Sequence, residues 1–502
     1  MRTIRHYVDL WARKQPDAAY LIAPETRRTL TYQQLKRHGE DLAGFLLGAG
    51  LSKGDKVAFM LPNSYQAARL FIGVMYAGFS VCPLSLLAQA RQLAYVLDHS
   101  DARLVFTSRE YLQALGAALS EIKRELIVIE IDPDAPAGPD VETVAKSTLP
   151  ALIDRDEAIL MYTSGTTGKP KGCVLSHRSV VAGGRFTSAA HRLTKEDRVL
   201  CAMPLYHISG QVVTMVAPLV HGGSVVMPHR FSASGFWELV CRYHCTWIQL
   251  VPTMMAYLLN GADPRQEGYS LGHVKFCRSS SSPLPPDLQR AFRAKFGIDV
   301  IETFGMTETN GPCFTNPLDP AKRKIGSPGQ AYGNEAKIVD PATGKAQPPG
   351  AAGEIMVRGE NVMNCYYKEP GVTAQTLERD GWLHTGDLGY FDKEGYLFVT
   401  SRIKELIIKG GENIAPREID EALLRHPAVL EAAAVGIPDR NYGEEILACV
   451  VLKAGYRCTV EELAAFSRRE LGKYKAPKVI KLVETLPKGP SGKVQRLRLL
   501  EI

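Results

Sequence analysis

The densest run of chemically useful side chains lies between Met161 and Gly172, Met-Tyr-Thr-Ser-Gly-Thr-Thr-Gly-Lys-Pro-Lys-Gly. Four Ser or Thr hydroxyls, three glycines and two lysines in that span suit a polyphosphate. Glycines allow close backbone approach and positive φ, successive N–H groups and hydroxyls donate hydrogen bonds, and ammonium groups neutralise charge. A Walker-type P-loop is excluded twice. The position five before Gly168 is Thr163, and Lys169 is followed by Pro170 where that motif needs a hydroxyl. A flexible Gly/Ser/Thr linker has the same composition, so the rest of the chain must decide between a nucleotide loop and a linker.

Further stretches fit the same chemistry in order along the chain. They are Phe304-Gly-Met-Thr-Glu308, Gly353-Glu-Ile-Met-Val-Arg-Gly359, Trp382-Leu-His-Thr-Gly-Asp387, Ser401-Arg-Ile-Lys-Glu405 with Lys409-Gly-Gly411, and Pro490-Ser-Gly-Lys493. Together with the loop they resemble the ordered motifs of the adenylate-forming superfamily, which contains acyl-CoA ligases, peptide-synthetase adenylation domains and luciferases. The resemblance implies an ATP-dependent carboxylic acid:CoA ligase (acid-thiol ligase, AMP-forming), with Mg²⁺ accompanying ATP and CoA as co-substrate. Phe304 to Gly411 is most similar to fatty-acyl and crotonobetaine or carnitine CoA ligases. Loading of a carrier-protein thiol is the alternative within the fold. A catalytically inactive acyl- or nucleotide-binding homologue is disfavoured by the retention of Lys493, Glu308 and Asp387.

The resemblance also implies roles. Thr163, Ser164, Gly165, Thr166, Thr167, Gly168, Lys169 and Lys171 would cradle the phosphates. Phe304 would lie against adenine, Gly305 beside it would belong to the nucleotide site, Thr307 would contact a phosphate oxygen, and Glu308 would hold Mg²⁺. Asp387 would accept both ribose hydroxyls, and Arg402 would also reach the nucleotide. His207, in Pro204-Leu-Tyr-His-Ile-Ser-Gly210, would sit near the acyl carboxylate, and Lys493 would bond that carboxylate and the α-phosphate. Lys404 would be a hinge, and Lys409, Gly410 and Gly411 would join the site in one of two orientations, leaving room for a pantetheine arm. Two departures stand out. Arg278-Ser-Ser-Ser-Ser282 replaces the glycines and alanine usual beside adenine, and the aspartate that binds an amino group in peptide-synthetase domains is missing.

Composition bounds the rest. At 502 residues the chain exceeds one core, and 45% hydrophobic with 23% charged residues is an ordinary globular balance. Ten scattered cysteines suit reduced thiols in a cytoplasm. Cys241, His244 and Cys245 cluster at a spacing that predicts one helix face, without the second ligand pair that a zinc site needs. Charges at Arg2, Arg5, Asp9, Arg13, Lys14 and Asp17 argue against a signal peptide. The uncharged runs Leu70 to Ala90 and Val199 to His229 are cut by Gly and Pro, which predicts short buried elements and no transmembrane segment. From Leu471 to Ile502 eight Lys or Arg face two Glu. With only Tyr474 interleaved among the charges this tail does not predict nucleic-acid binding, and an anionic ligand such as ATP or CoA fits it. Oligomeric state has no signature here.

The elements that must position these groups follow from pattern. The first ~150 residues alternate strands and helices, a βαβ rhythm that predicts a doubly wound α/β fold. Lys56 to Met60, Leu104 to Thr107 and Ile127 to Ile131 read as strands, and Tyr65 to Tyr76 as an apolar helix. Near the C-terminus Glu418 to His426 and Thr459 to Leu471 read as helices, Val429 to Val435 and Ile446 to Leu452 as strands. The expected organisation is α/β: a large N-terminal domain of doubly wound sheets over 1–401, a hinge at 402–404, and a small mobile α+β C-terminal domain over 405–502.

Overall fold

A computed structural model describes residues 2–136, 149–163, 169–489 and 494–502. Two large sheets form its body. One has nine strands, and its six central strands, from Val300–Met306 through Phe276–Ser279, Trp247–Leu250, Arg198–Leu200 and Ser224–Val226 to Ala19–Ala23, are all parallel. The other has seven strands, among which Glu157–Thr163, Ser80–Pro83, Lys56–Met60, Ala102–Thr107 and Ile127–Glu130 are parallel.

Helices Ile4–Lys14, Tyr32–Gly48, Tyr65–Ala77 and His177–Ala190 contribute to one core shared with both sheets. Tyr65–Ala77 is buried at every residue, which explains its apolar sequence: a helix with sheet or helix on all sides has no polar face to keep. The uncharged runs resolve as expected into short elements, and among the described residues no helix is long and apolar enough to cross a membrane.

A four-stranded antiparallel sheet follows, Asn334–Val339, Gly353–Gly359, Leu383–Phe391 and Leu397–Arg402. The chain then enters a separate small unit. Its sheet contains Ile407–Lys409, Glu412–Ile414, Val429–Asp439, Gly443–Leu452 and Val479–Leu482, backed by helices Pro416–Leu424 and Val460–Lys475. Thr459 caps the second helix in a reciprocal capping box with Glu462. The expected large α/β body and small α+β unit are therefore both present.

One local expectation fails. Cys241, His244 and Cys245 do not share a helix face: the helix Phe236–Arg242 ends before His244, which turns the chain at φ +52°, and Cys245 is buried in an apolar cluster. Trp237 and Val240 drive that helix into the core, and the cysteine goes in as a small hydrophobe. No cysteine among the described residues is in a disulfide.

Candidate active site

The polyphosphate-like stretch closes a β-hairpin. Strands Glu157–Thr163 and Lys171–Ser176 pair antiparallel, with Thr163 opposite Lys171. Ser164, Gly165, Thr166, Thr167 and Gly168 lie outside the described residues, as does Lys493. The hairpin ends fix where the loop emerges. Lys169 Nζ lies 5.8 Å from the Tyr95 ring, and Lys171 Nζ lies 5.1 Å from the Tyr366 ring.

Tyr366 joins the loop to the second motif. Its ring carries Lys171 on one side, and its hydroxyl donates to Glu308 Oε1 at 2.7 Å. Glu308, 7% exposed, sits in the turn Thr307–Thr309 directly after strand Val300–Met306, and its carbonyl accepts from the Met363 N–H at 2.7 Å. Burial and the adjacent Glu308 carboxylate push the Tyr366 hydroxyl far above its ordinary range, so it stays a proton donor. Thr307 is half-buried beside them.

The strand before that turn requires its glycine. A Cβ on Gly305 would stand 1.9 Å from the Gly311 carbonyl oxygen, so no side chain fits. The neighbouring Phe304 ring is half-buried, 5.9 Å from that of Phe314, and faces a cavity of ≈ 830 Å³. Asp387 and Arg402 line the same cavity. They stand opposite each other on strands Leu383–Phe391 and Leu397–Arg402, with Arg402 Nε donating to Asp387 Oδ1 at 2.9 Å. The fields of Asp387, Glu405 and Glu308 hold the guanidinium above its ordinary pKa against the pull of burial. The turn into Asp387 is clamped: Glu354 Oε1 accepts the Gly386 N–H, and its Oε2 lies 2.9 Å from His384 Nδ1.

The small unit forms the opposite wall of this cavity, through Pro416, Arg417, Asp420, Glu431 and Arg496. Arg496 bonds Asp420 and lies 3.2 Å from Glu405, so it fastens the chain just past the motif to the small unit. Lys404, in the turn Ile403–Glu405, is exposed. Lys409 is 5% exposed, its Nζ 2.8 Å from Glu445 Oε2 and from the Tyr474 carbonyl oxygen. Gly410 and Gly411 follow in left-handed turns at φ +57° and +85°, and a Cβ on Gly410 would meet the Tyr474 hydroxyl at 2.8 Å.

His207 precedes a widely wound helical segment, Ser209–Val216, that closes with an i−5 bond from Ala217 N to Val212 O. The packing around the ring drives its pKa down to about 4, so it is neutral at physiological pH. The Ser209 N–H donates to Nδ1 at 3.2 Å, leaving Nε2 as the protonated nitrogen. Ser209 Oγ is 3.4 Å from Ser281 Oγ, and Ser281 and Ser282 line the cavity with Phe304. Ser281 takes φ +73°, a conformation natural to glycine, at the position where the sequence departs from its resemblance.

Phe304, Gly305, Asp387 and Arg402 thus line one cavity, whereas His207, Lys404, Lys409, Gly410 and Gly411 are not among its lining residues. Sequence reasoning missed Tyr366, Glu354 and the Arg496–Asp420–Glu405 cluster. Tyr366 lies in Cys365-Tyr-Tyr-Lys368, whose alternation gives no sign of a carboxylate partner.

Known proteins share this arrangement. The family described as AMP-binding enzyme matches residues 8–367, and the AMP-binding enzyme C-terminal domain matches 418–493. A sulfoacetate–CoA ligase of Cupriavidus necator is 52% identical over 500 residues, covering 99% of this chain and 97% of that protein. An oxalate–CoA ligase of Arabidopsis thaliana is 35% identical over 97% of this chain and 95% of its own. Among solved structures, O-succinylbenzoate CoA synthetase (MenE) of Bacillus subtilis, in complex with ATP and magnesium ion, superposes with a TM-score of 0.86. It is 29% identical and covers 98% of this chain and 99% of that one.

Proposed function

Because this chain belongs to the family of AMP-binding enzymes, we propose that it joins a carboxylic acid to CoA through an acyl adenylate, using ATP. One observation carries the reading at residue level: Phe304, Asp387 and Arg402 line one cavity, and the charge of Glu308, which bonds Tyr366, acts on Arg402.

A carboxylate is a poor acyl donor because its leaving group would be oxide. In the first half-reaction a carboxylate oxygen attacks the α-phosphorus of ATP, the bond to the β-phosphate breaks, and pyrophosphate leaves. In the second the CoA sulfur attacks the acyl carbon and AMP leaves. Bringing two anions in line and neutralising their repulsion is most of the catalytic task. Neutral His207 offers its Nε2–H to the acyl carboxylate without needing to ionise. Phe304 gives adenine a flat apolar face, and Asp387 accepts from the ribose hydroxyls. Lys169, Lys171 and the loop between Thr163 and Lys169 neutralise phosphate, and Lys493 is assigned to the reacting oxygens.

Glu308 fits a magnesium ion carried in by ATP. It is a nearly buried carboxylate held by a neutral donor, Tyr366, and has no cationic partner within ion-pair distance among the described residues. Magnesium on a nucleotide needs only one or two protein carboxylates. Bound there it would offset phosphate charge as a Lewis acid.

A wall of the cavity belongs to the small unit, which supports rotation of residues 405–502 about 402–404 between the two half-reactions, with Gly410 and Gly411 admitting pantetheine in the second. The absence of disulfides among the described residues fits a reducing compartment such as the cytoplasm. Mass spectrometry of products from a panel of acids with ATP, Mg²⁺ and CoA tests the proposal. Acyl-CoA with AMP is the expected outcome. Acyl adenylate without thioester would move the acceptor to a carrier protein, and failure to form AMP from any acid would refute the ligase.

A further inference from the structure

Arg278 is 1% exposed, inside the parallel sheet on strand Phe276–Ser279. Its Nη1 donates to Gln249 Oε1 at 2.5 Å and to Ser280 Oγ at 3.3 Å, both neutral, and its buried Nε has no partner among the described residues. Among the described residues no carboxylate acts on it, and burial drags the guanidinium down to about 9. An isolated buried cation is expensive, and proteins keep one only where something pairs with it. Arg496 shows the ordinary solution, taking Asp420 and Glu405 as counter-charges. Arg278 has an acceptor set built for orientation and no anion.

Its place in the fold says where that anion would come from. Arg278 stands opposite Gln249 and Ile301 in register, and Ile301 belongs to the core between the sheets, into which the helical segment after His207 also packs. Ser280 Oγ receives both Arg278 and Gln249 Nε2, the latter at 3.0 Å. The next residue, Ser281, opens on the cavity and touches Ser209, whose N–H holds the His207 ring. Arg278 is therefore linked to the groups assigned to the acyl carboxylate through Ser280, Ser281 and Ser209.

We propose that Arg278, oriented by Gln249 and Ser280, is the seat for a second anionic group, a carboxylate or sulfonate, at the far end of a short substrate acid whose reacting carboxylate is held at His207. The assignment rests on the ligase reading above. A guanidinium offers a fixed fork of donors that matches either oxyanion. An acid lacking the distal charge leaves the buried cation unpaired, which is the arrangement that discriminates most strongly between otherwise similar substrates. The 52% identical sulfoacetate–CoA ligase and the oxalate–CoA ligase are both named for short acids with two acidic groups.

The test measures kcat/KM for acyl-CoA formation by the full chain with sulfoacetate and malonate against butyrate, an acid of similar size with one charge. The wild type is expected to favour the doubly charged acids by about 100-fold or more, the scale of a lost charged partner. Arg278→Met should lower sulfoacetate turnover by about that factor and leave or raise butyrate turnover. Gln249→Glu covers the case in which Arg278→Met fails to fold. It places a carboxylate against the guanidinium within the fold and should abolish the preference by occupying the seat. Wild-type preference for butyrate, equal loss of both acid classes in Arg278→Met, or unchanged sulfoacetate turnover in Gln249→Glu would each overturn the assignment while the ligase stands. No AMP-forming turnover of any acid would remove both.

Discussion

Replacing Tyr366 with Phe removes one oxygen atom and little else. The ring that carries Lys171 at 5.1 Å remains, so the cation's contact with the aromatic face is kept. What is lost is the 2.7 Å bond from a hydroxyl that stays protonated to the Glu308 carboxylate. A hydrogen bond to a charged acceptor contributes about 1.5–3 kcal/mol. At about 1.4 kcal/mol per decade that corresponds to a factor of about 10–100. The same range describes the loss of metal affinity when a hydrogen-bonded support of a ligating carboxylate is removed. If Glu308 holds magnesium with Tyr366 fixing its orientation, Tyr366→Phe should raise the Mg²⁺ concentration for half-maximal adenylation by about 10–100-fold. KM for the acid should hardly move, because the acyl carboxylate is assigned to His207. ATP–pyrophosphate exchange, titrated with Mg²⁺ at fixed ATP, reads both quantities. A fall in kcat with unchanged Mg²⁺ dependence would refute the role given to the Glu308–Tyr366 pair.

Two other perturbations test the surrounding structure. Lys409→Met strands Glu445 in a buried site where the pair now stands at 2.8 Å, and breaking such a pair costs about 3–5 kcal/mol. Urea unfolding should show an early transition of the small unit, and an unchanged profile would contradict this. Desolvation lifts the pKa of Glu302, buried with Oε2 unpartnered among the described residues, from an ordinary 4.5 to about 7, against the lowering pull of Arg417 and the Leu284 N–H and with a smaller push from Glu421. A folded pKa above the unfolded one gives stability that is complete below about 4.5 and is lost as pH rises through about 7. The loss amounts to about 3 kcal/mol by pH 8 and beyond. Glu302→Gln should be insensitive over that range, so its advantage in thermal unfolding opens between pH 5 and pH 8. An equal offset at both pH values would refute the shift.

The architecture was legible where local pattern and burial agree. The apolar run Tyr65 to Tyr76 can only be a helix enclosed on all sides, and the strand readings at Lys56 to Met60 and Leu104 to Thr107 hold because both are flanked by turn residues and buried. The Cys241–His244–Cys245 reading failed because helical spacing was extended past a helix that stops at Arg242, and a non-glycine left-handed turn at His244 leaves no mark in the periodicity. Asp387 and Arg402, which line one cavity, could be picked out in the sequence because each sits inside a contiguous motif. Tyr366 and Gln249 were not, since each acts across strands brought together only by the sheet, Tyr366 58 residues from Glu308 and Gln249 29 from Arg278. Ser281 is intermediate. The missing glycine was visible in the sequence, and the structure shows the serine held at φ +73° beside Ser209.

The segment between the two units is tied at both ends in this arrangement. Arg402 is bound to Asp387 in the large body, and Glu405, three residues on, lies 3.2 Å from Arg496 in the small unit. Arg417 of the small unit adds a bond to the Val399 carbonyl at 2.6 Å. One of these three ties uses groups that nucleotide chemistry would engage. Ribose hydroxyls donating to Asp387 compete with Arg402 Nε for the same carboxylate, and a guanidinium released from that carboxylate is free to follow phosphate charge. Occupancy of the nucleotide site would therefore weaken the contact that holds residues 402–405 to the large body while leaving Glu405 fastened to Arg496. Rotation of the 405–502 segment as one piece would still require the Arg417–Val399 bond to break, and such a motion would serve an enzyme that meets two nucleophiles in succession.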